Sequence, residues 1–304
     1  MNSLQQIESS GSFINLSRPA RAGLLAAFAV GGLVLPLQAE QPPDKRGYHL
    51  FNRTPRELLR DMSTDRPDQT ESPNTVDAGW FQVEMDFVNA GLDRDRSSGA
   101  DVETTDISAG ALNLKAGLLH NVDIQFVLDS YVHSRVEDRV AGTVNEASGF
   151  GDLTTRLKIN FWGNDGGRTS FGIMPFVKWP LPESGLRNGR TEGGVIVPFG
   201  MDLGGGWGLG AMTEFDFVSN GMAGYDVEYF NTLTVGRDLI GDLGAYVEFA
   251  ALVTPESGND WQGQVGLGFT YAFCADAQLD WGCNFGVTDS ATDFNPFLGV
   301  SFRF

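Results

Sequence analysis

The stretch that decides the fold is Asn295-Pro-Phe-Leu-Gly-Val-Ser-Phe-Arg-Phe304. Leu298, Val300, Phe302 and Phe304 recur with period two on one face, and Gly299, Ser301 and Arg303 occupy the other. A strand with lipid on one side and a polar lumen on the other reads this way, and a terminal aromatic suits an outer-membrane barrel. The last strand of a soluble sheet would alternate too, so the rest of the chain has to decide.

At the other end, Arg18 and Arg21 precede an apolar run from Leu24 to Leu37 that closes at Gln38-Ala39. A basic flank, a short apolar region and a small residue at the cut predict a signal peptide over residues 1–39. The run holds Gly31, Gly32 and Pro36, and its roughly fourteen residues fall short of the roughly twenty that a spanning helix needs. No later segment offers a long uninterrupted apolar run, so the remainder is either soluble and exported or a barrel. Cleavage would remove Arg18, Arg21 and Glu8, two cations and one anion, taking the formal net charge from −18 to −19. Such acidity excludes nucleic acid as a partner, because phosphates would be repelled.

From Gly79 onward the chain is a series of alternating segments of membrane-strand length. In Trp80 to Val88, Phe81, Val83, Met85 and Phe87 oppose Gln82, Glu84 and Asp86. In Thr105 to Leu118, Leu112, Leu114, Ala116 and Leu118 oppose Asn113, Lys115 and Gly117. After His120-Asn121, Val122, Ile124, Phe126 and Leu128 point outward, and Asp123, Gln125, Asp129, Tyr131 and His133 inward. Leu153 to Phe161 follows, and Asn164-Asp-Gly-Gly167 is a hairpin signal. Eight further segments bring the total to about twelve strands.

Tight turns near 119–121, 164–167, 204–206, 238–242 and 274–277 alternate with longer loops near 89–104, 136–148, 182–190, 219–224, 254–260 and 288–293. A soluble sandwich has no reason to sort its loops this way. The expectation is an all-β fold: an up-and-down antiparallel transmembrane barrel over residues 79–304, with both termini periplasmic. Trp80, Trp162, Trp207, Phe273, Trp281 and Phe304 are placed near strand ends on the short-turn side, as a headgroup-level girdle. The expected partners are outer-membrane lipid and lipopolysaccharide, and the barrel assembly machinery through Phe304.

Residues 40–78 differ in kind, being polar, proline-bearing and without alternation. They read as a periplasmic lead-in or a lumen plug. Thr54-Pro55-Arg56-Glu57 has a capping-box pattern with proline at the first helical position, which predicts a short helix through about Met62. The candidate plug charges are Asp65, Arg66, Asp68 and Glu71.

Strand phase assigns Glu84, Asp86, Asp123, Asp129, Asp152, Glu192, Glu214, Asp216, Glu228, Glu248 and Asp280 to the lumen. Against these acids stand Lys115, Arg156, Lys158, Lys178 and Arg303. Such an excess would favour cations in an open pore, whereas in a narrow barrel the charges would pair and fill it.

Ser63-Thr-Asp-Arg-Pro-Asp, Thr70-Glu-Ser-Pro, Gly149-Phe-Gly-Asp-Leu-Thr, Trp162-Gly-Asn-Asp-Gly-Gly, Met174-Pro-Phe-Val-Lys, Gly205-Gly-Trp-Gly-Leu-Gly and Asn295-Pro-Phe-Leu-Gly form a set of separated motifs. With them the chain from Ser63 to Phe304 resembles the outer-membrane transporter family labelled "MetA-pathway of phenol degradation". The resemblance implies a channel or transporter for passive or gated uptake of small organic solutes, aromatic compounds among them. The alternative is a closed barrel with a structural, adhesive or lipid-binding role.

Catalytic readings are thin. The three histidines are His49, His120 and His133, and no Gly-x-Ser-x-Gly elbow accompanies them. Asp93-Arg-Asp-Arg-Ser-Ser-Gly-Ala-Asp101 has the alternating oxygens of a calcium loop. Its glycine falls one place late, and Thr104 stands where a bidentate glutamate is needed. No enzyme activity, metal or cofactor is therefore assigned. Cys274 and Cys283 are expected to stay unbridged, on a register that sets Cys274 opposite Leu279 and Cys283 opposite Thr270.

Overall fold

The computed structural model describes residues 44–181, 189–222, 224–255 and 260–304. The expected signal peptide lies outside the described residues, as do parts of three of the long loops. Twelve antiparallel strands close into a barrel. They are β1 (Phe81–Asp95), β2 (Val102–Ala109 and Leu112–Leu119), β3 (Val122–Leu128 and Tyr131–Asp138) and β4 (Thr143–Gly149 and Leu153–Trp162). Next come β5 (Thr169–Trp179), β6 (Glu192–Gly204), β7 (Trp207–Ser219) and β8 (Tyr225–Ile240). The last four are β9 (Leu243–Val253), β10 (Gln262–Cys274), β11 (Ala277–Gly286) and β12 (Phe294–Arg303). Each strand pairs with its neighbours in sequence, and β12 returns to β1 with Arg303 opposite Gln82. Phe304 completes the closure. Its backbone exchanges hydrogen bonds of 3.0 and 2.9 Å with Phe81, and the two rings stack 5.9 Å apart.

The wall follows the period-two reading. Phe81, Leu114, Phe126, Phe217, Leu233, Val247, Phe249, Leu267, Phe269 and Phe302 are exposed on its outer face. Gln82, Glu84, Lys115, Asp123, Gln125, Arg156, Lys158 and Asp280 are buried inside. A belt of exposed apolar side chains around a polar interior inverts a soluble protein and suits a barrel bathed in lipid. The protein is a bacterial outer-membrane β-barrel.

Three expectations need correction. The long loops near 89–104 and 136–148 are mostly strand, because β1 to β4 continue past the apolar belt and leave only 96–101 and 139–142 as connections. These extensions are held by backbone pairing and by ion pairs, Arg135 with Glu146 across to the next strand at 3.2 Å and with Glu137 along its own strand at 2.7 Å. Apolar alternation, the signal used to find strands, is needed only at lipid depth.

Secondly, β2, β3 and β4 are each interrupted at one level, where Gly110 takes a φ of 68°. Past the break in β3 the buried positions are Val132 and Ser134, while Tyr131 is exposed. The extrapolated inward parity of Tyr131 and His133 therefore fails. Thirdly, Trp80 is buried rather than part of an outer girdle, and Trp281 sits in mid-strand, stacked on Phe269.

The Asp93–Asp101 stretch is a hairpin end in which Arg94 takes Asp101 at 2.7 Å. Cys274 and Cys283 are both free thiols. Their register differs from expectation: Cys274 faces Ala277 and Cys283 faces Leu267, because the turn is only Ala275-Asp276 and a bulge between Ala272 and Cys274 shifts the pairing by one more residue.

Candidate functional site

Residues before β1 occupy the inside of the barrel. The chain starts at the short-turn rim, where Leu50 N–H donates to Leu118 O at 2.9 Å. Expected helix 54–62 is reduced to one 3₁₀ turn, Arg56–Leu58. The Thr54 hydroxyl makes no capping bond, Pro55 stands at the N-cap, and Leu59 is already extended at φ −63°, ψ 144°. Arg60 draws the chain inward instead, donating to Thr75 O at 2.9 Å and to the Asp165 carboxylate at 2.9 Å. Met62 to Ala78 is then buried almost throughout. The segment doubles back, with the Ser63 and Ser72 hydroxyls 2.8 Å apart, and returns to the same rim. There Gly79 N–H donates to Gly117 O at 2.8 Å, and the Trp80 indole donates to Thr54 O at 2.8 Å. The Arg53 guanidinium lies 3.4 Å over the Trp80 ring.

A polar segment with so few apolar residues cannot fold alone, and its charges and N–H groups are costly to bury without partners. The wall supplies those partners. Asp86, Gly299 and Asp280 stand in one row across β1, β12 and β11, and the Arg66 guanidinium lies over the glycine between the two carboxylates. Arg66 reaches Asp280 at 2.7 Å and pairs with Asp86. A Cβ on Gly299 would sit 2.2 Å from that guanidinium, so the row needs a residue without one. Asp65 pairs with both Lys115 and Lys158 and accepts from Gln125 at 3.2 Å. Glu71 meets Arg156 at 2.8 Å. Asp68, like these, is buried.

The acidic excess of the wall now has a structural use. Segment N–H groups of Asp65, Gln69 and Val76 donate to Glu84 at 3.0 Å, Glu248 at 2.8 Å and Asp123 at 2.9 Å. Thr70 adds a hydroxyl to Glu248 at 2.6 Å. Carboxylates thus serve as acceptors for main-chain donors, which need no matching lysine or arginine.

A clasp secures both limbs at the rim. Lys45 bridges Asp165 at 2.8 Å and Asp77 at 3.4 Å. Arg303 binds Asp276 at 2.8 Å and donates to Arg60 O at 2.8 Å. Burial alone would raise the Asp165 carboxyl, but Arg60 and Lys45 outweigh it and hold the group below the usual range. Asp276, in the β10–β11 turn, is held low in the same way by Arg303 and Arg56 against the effect of burial.

The other predicted lumen residues lie farther toward the long-loop end. Lys178 and Glu192 are 3.6 Å apart, and Glu192 also accepts from Ser219 N–H at 2.8 Å. Glu228 accepts from the Thr254 hydroxyl at 2.9 Å. Asp216 lies opposite Glu228 and Gly194, two places along β7 from Glu214 on the same face. Asp129 and Asp152 flank the breaks in β3 and β4, where Gly151 N–H donates to Asp129 O at 2.7 Å.

Sequence reasoning missed an apolar cluster facing inward. Met174, Ile196, Met212, Phe230, Ala250 and Leu252 pack together with Phe176. Ile196 and Phe230 flank Glu214 in register, and Met174 lies opposite Ile196. Strand phase alone would have found it: these residues share parity with the acids already assigned inward. Only the charged residues of these strands were given a face, which concealed it.

The class defined by this wall and interior is an outer-membrane β-barrel with a re-entrant inner segment. The family model described as "Putative MetA-pathway of phenol degradation" matches residues 64–304, and the chain belongs to that family. No curated protein sequence matches the chain. Among solved structures, the NanC porin is similar at 13% identity and a TM-score of 0.44, over 73% of this chain and 98% of that one. The CymD monoaromatic hydrocarbon channel gives 9% and 0.42, over 74% and 87%. The transport unit of the autotransporter AIDA-I from Escherichia coli gives 9% and 0.45, over 74% and 90%. No residue role, substrate or partner is carried over from these likenesses.

Proposed function

We propose that the protein is an outer-membrane channel for small organic solutes, with Met62–Ala78 as a resident plug. The observation that carries this reading is the inward apolar cluster on β5 to β9. A barrel serving only as scaffold could fill its lumen with the paired polar groups seen elsewhere in the wall. Apolar side chains grouped at mid-lumen favour organic molecules and resist hydrated ions, as hydrophobic constrictions do. The family description, which concerns phenol degradation, supports an aromatic solute. The role is passive passage, not catalysis.

The contacts between the segment and most of the wall favour a second reading, a permanently closed barrel with a structural, adhesive or lipid-binding role. Proteoliposomes separate the two. Entry of an uncharged monocyclic aromatic made poorly membrane-permeant by several hydroxyl groups, at several times the rate of empty liposomes and with little ion leak, is expected of the channel. Rates equal to those of empty liposomes for all solutes would establish the closed barrel.

A further inference from the structure

The tip of the segment, Pro67 to Thr70, lies along β9. The Tyr246 hydroxyl donates to Pro67 O at 3.3 Å. Glu248, two places along the same inward face, accepts from Gln69 N–H at 2.8 Å and from the Thr70 hydroxyl at 2.6 Å. Asp68 is held between these contacts, beside Glu248 and beside Thr234, which stands opposite Glu248 on β8. Both acids are sealed from water, each 1% exposed.

The charges inside the barrel leave no cation for this pair. Arg66 is committed to Asp86 and Asp280, Lys115 to Asp65 and Glu84, Lys158 to Asp65, and Arg156 to Glu71. Neither Asp68 nor Glu248 enters an ion pair among the described residues. The titratable groups that face Asp68 are Glu71 on its own segment and Tyr246 and Glu248 on β9. From β8 and β10 the tip meets neutral side chains, Thr232, Thr234 and Gln264. Two adjacent carboxyls without a counter-ion cannot both ionise in a sealed site, because each raises the cost of charging the other. The hydrogen-bond inventory agrees. Gln69 donates to Gln264 at 3.2 Å and leaves its own side-chain oxygen buried without a partner among the described residues. Asn284, in the register row of Glu248 across Gly266, does the same with its oxygen. Acceptors outnumber donors around the tip, and a carboxyl proton adds a donor.

We propose that Asp68 and Glu248 share one proton while the segment is seated, and that this proton latches the tip to β9. Glu248 already accepts two donors from the segment and is the ionised partner, so Asp68 carries the proton. Away from the wall, Asp68 faces water and ionises above about pH 3.9. The seated state therefore binds one proton more than the unseated state. Seating weakens as pH rises, about tenfold for each unit, until the seated carboxyl itself ionises. The latch holds in acid and loosens toward alkaline pH, whether or not solutes pass through the barrel.

Hydrogen–deuterium exchange of the full-length protein in detergent micelles reads the latch through the Gln69 amide. Its protection, corrected for the intrinsic pH dependence of exchange, is expected to fall about tenfold per unit between about pH 5 and 7. Asp68→Asn supplies a permanent donor of the same shape. It should flatten that dependence to within about twofold, at the protection the wild type shows in acid. The infrared difference between wild type and Asp68→Asn at about pH 5 should contain the band of a protonated carboxyl. Wild-type protection that does not change with pH would overturn the proposal, as would absence of that band. A pH dependence that survives Asp68→Asn would move the proton to another acid and overturn it too. Protection that rises several-fold with calcium chloride and falls with EDTA would put a metal ion in place of the proton, with the same consequence. None of these outcomes bears on solute uptake, so the channel reading stands or falls separately.

Discussion

The two sides of the lumen are built from opposite materials. Around β9–β12 and β1–β4, charged and amide side chains grip a peptide segment. Around β5–β8, Met174, Ile196, Met212 and Phe230 face inward and largely pack on one another, beside the acids Glu192, Glu214, Asp216 and Glu228. The first side solves a local problem, since every N–H and charge carried into the barrel must find a partner there. It specifies where the segment sits more than it adds stability, because burying ions offsets much of their attraction. The second side makes weak, non-directional contacts that can be parted and remade. Position is held by one half of the wall, and in the proposed channel passage is left to the other.

Removing the gripped segment is the most drastic way to break this division. Deletion of residues 40–76 is expected to raise single-channel conductance in planar bilayers at least tenfold, with the barrel still resistant to cold detergent. Unchanged conductance in an intact barrel would mean that the segment does not obstruct the lumen. The acids released from it, Glu84, Asp123 and Glu248 among them, would then line open space and make the deleted form cation-selective.

Point substitutions compare the halves directly. Asp65→Ala leaves Lys115 and Lys158 buried without their shared counter-charge, a change expected to cost about 3–5 kcal/mol. A lower unfolding midpoint on gels, with new protease cleavage in the segment, is the expected signature. Met174→Ala removes apolar volume from the other half and should cost less, about 2 kcal/mol. Its signature is a several-fold rise in ion leak with the segment still protected. If Met174→Ala exposes the segment, the apolar side is also part of the grip, and the contrast between the halves collapses.

Much of the wall was legible in the sequence because lipid imposes period two wherever it touches. Phe302 and Arg303 could be given opposite faces without any structure. The extensions of β1 to β4 escaped because no lipid patterns them, and the phase change in β3 escaped because a break at Asp129-Ser130 resets parity without marking itself in composition. Arg66 could be named as a candidate plug charge from its setting, yet its seat could not. That seat is formed by Asp86, Gly299 and Asp280 from three strands, brought into one row only by barrel closure. The apolar cluster was present in strand phase, hidden because only the charged residues of those strands were assigned to a face.

The rim clasp sets the smallest effect and the sharpest test of how the segment is held. Asp165 and Asp276 have carboxyls held below their ordinary values by Arg60 and Lys45, and by Arg303 and Arg56, against the opposing effect of burial. Carboxyls lower in the folded state than in the unfolded state contribute stability that is fully present above the unfolded value, about 3.9. That contribution fades as pH falls through the lower, folded values. His120, in the β2–β3 turn, is pushed down by burial and by Arg60. It adds a separate decline that begins near its ordinary value of about 6.5, so His120→Gln is the background of choice. In that background, protection of Arg60 from trypsin pulses given after a return to neutral pH is expected to be flat down to about pH 4.5. Loss should appear only below about pH 4. Asp165→Asn with Asp276→Asn should abolish the acid step and lower protection modestly at every pH. An acid step that survives both substitutions would shift the pH-sensitive hold from the rim to the buried acids of the grip.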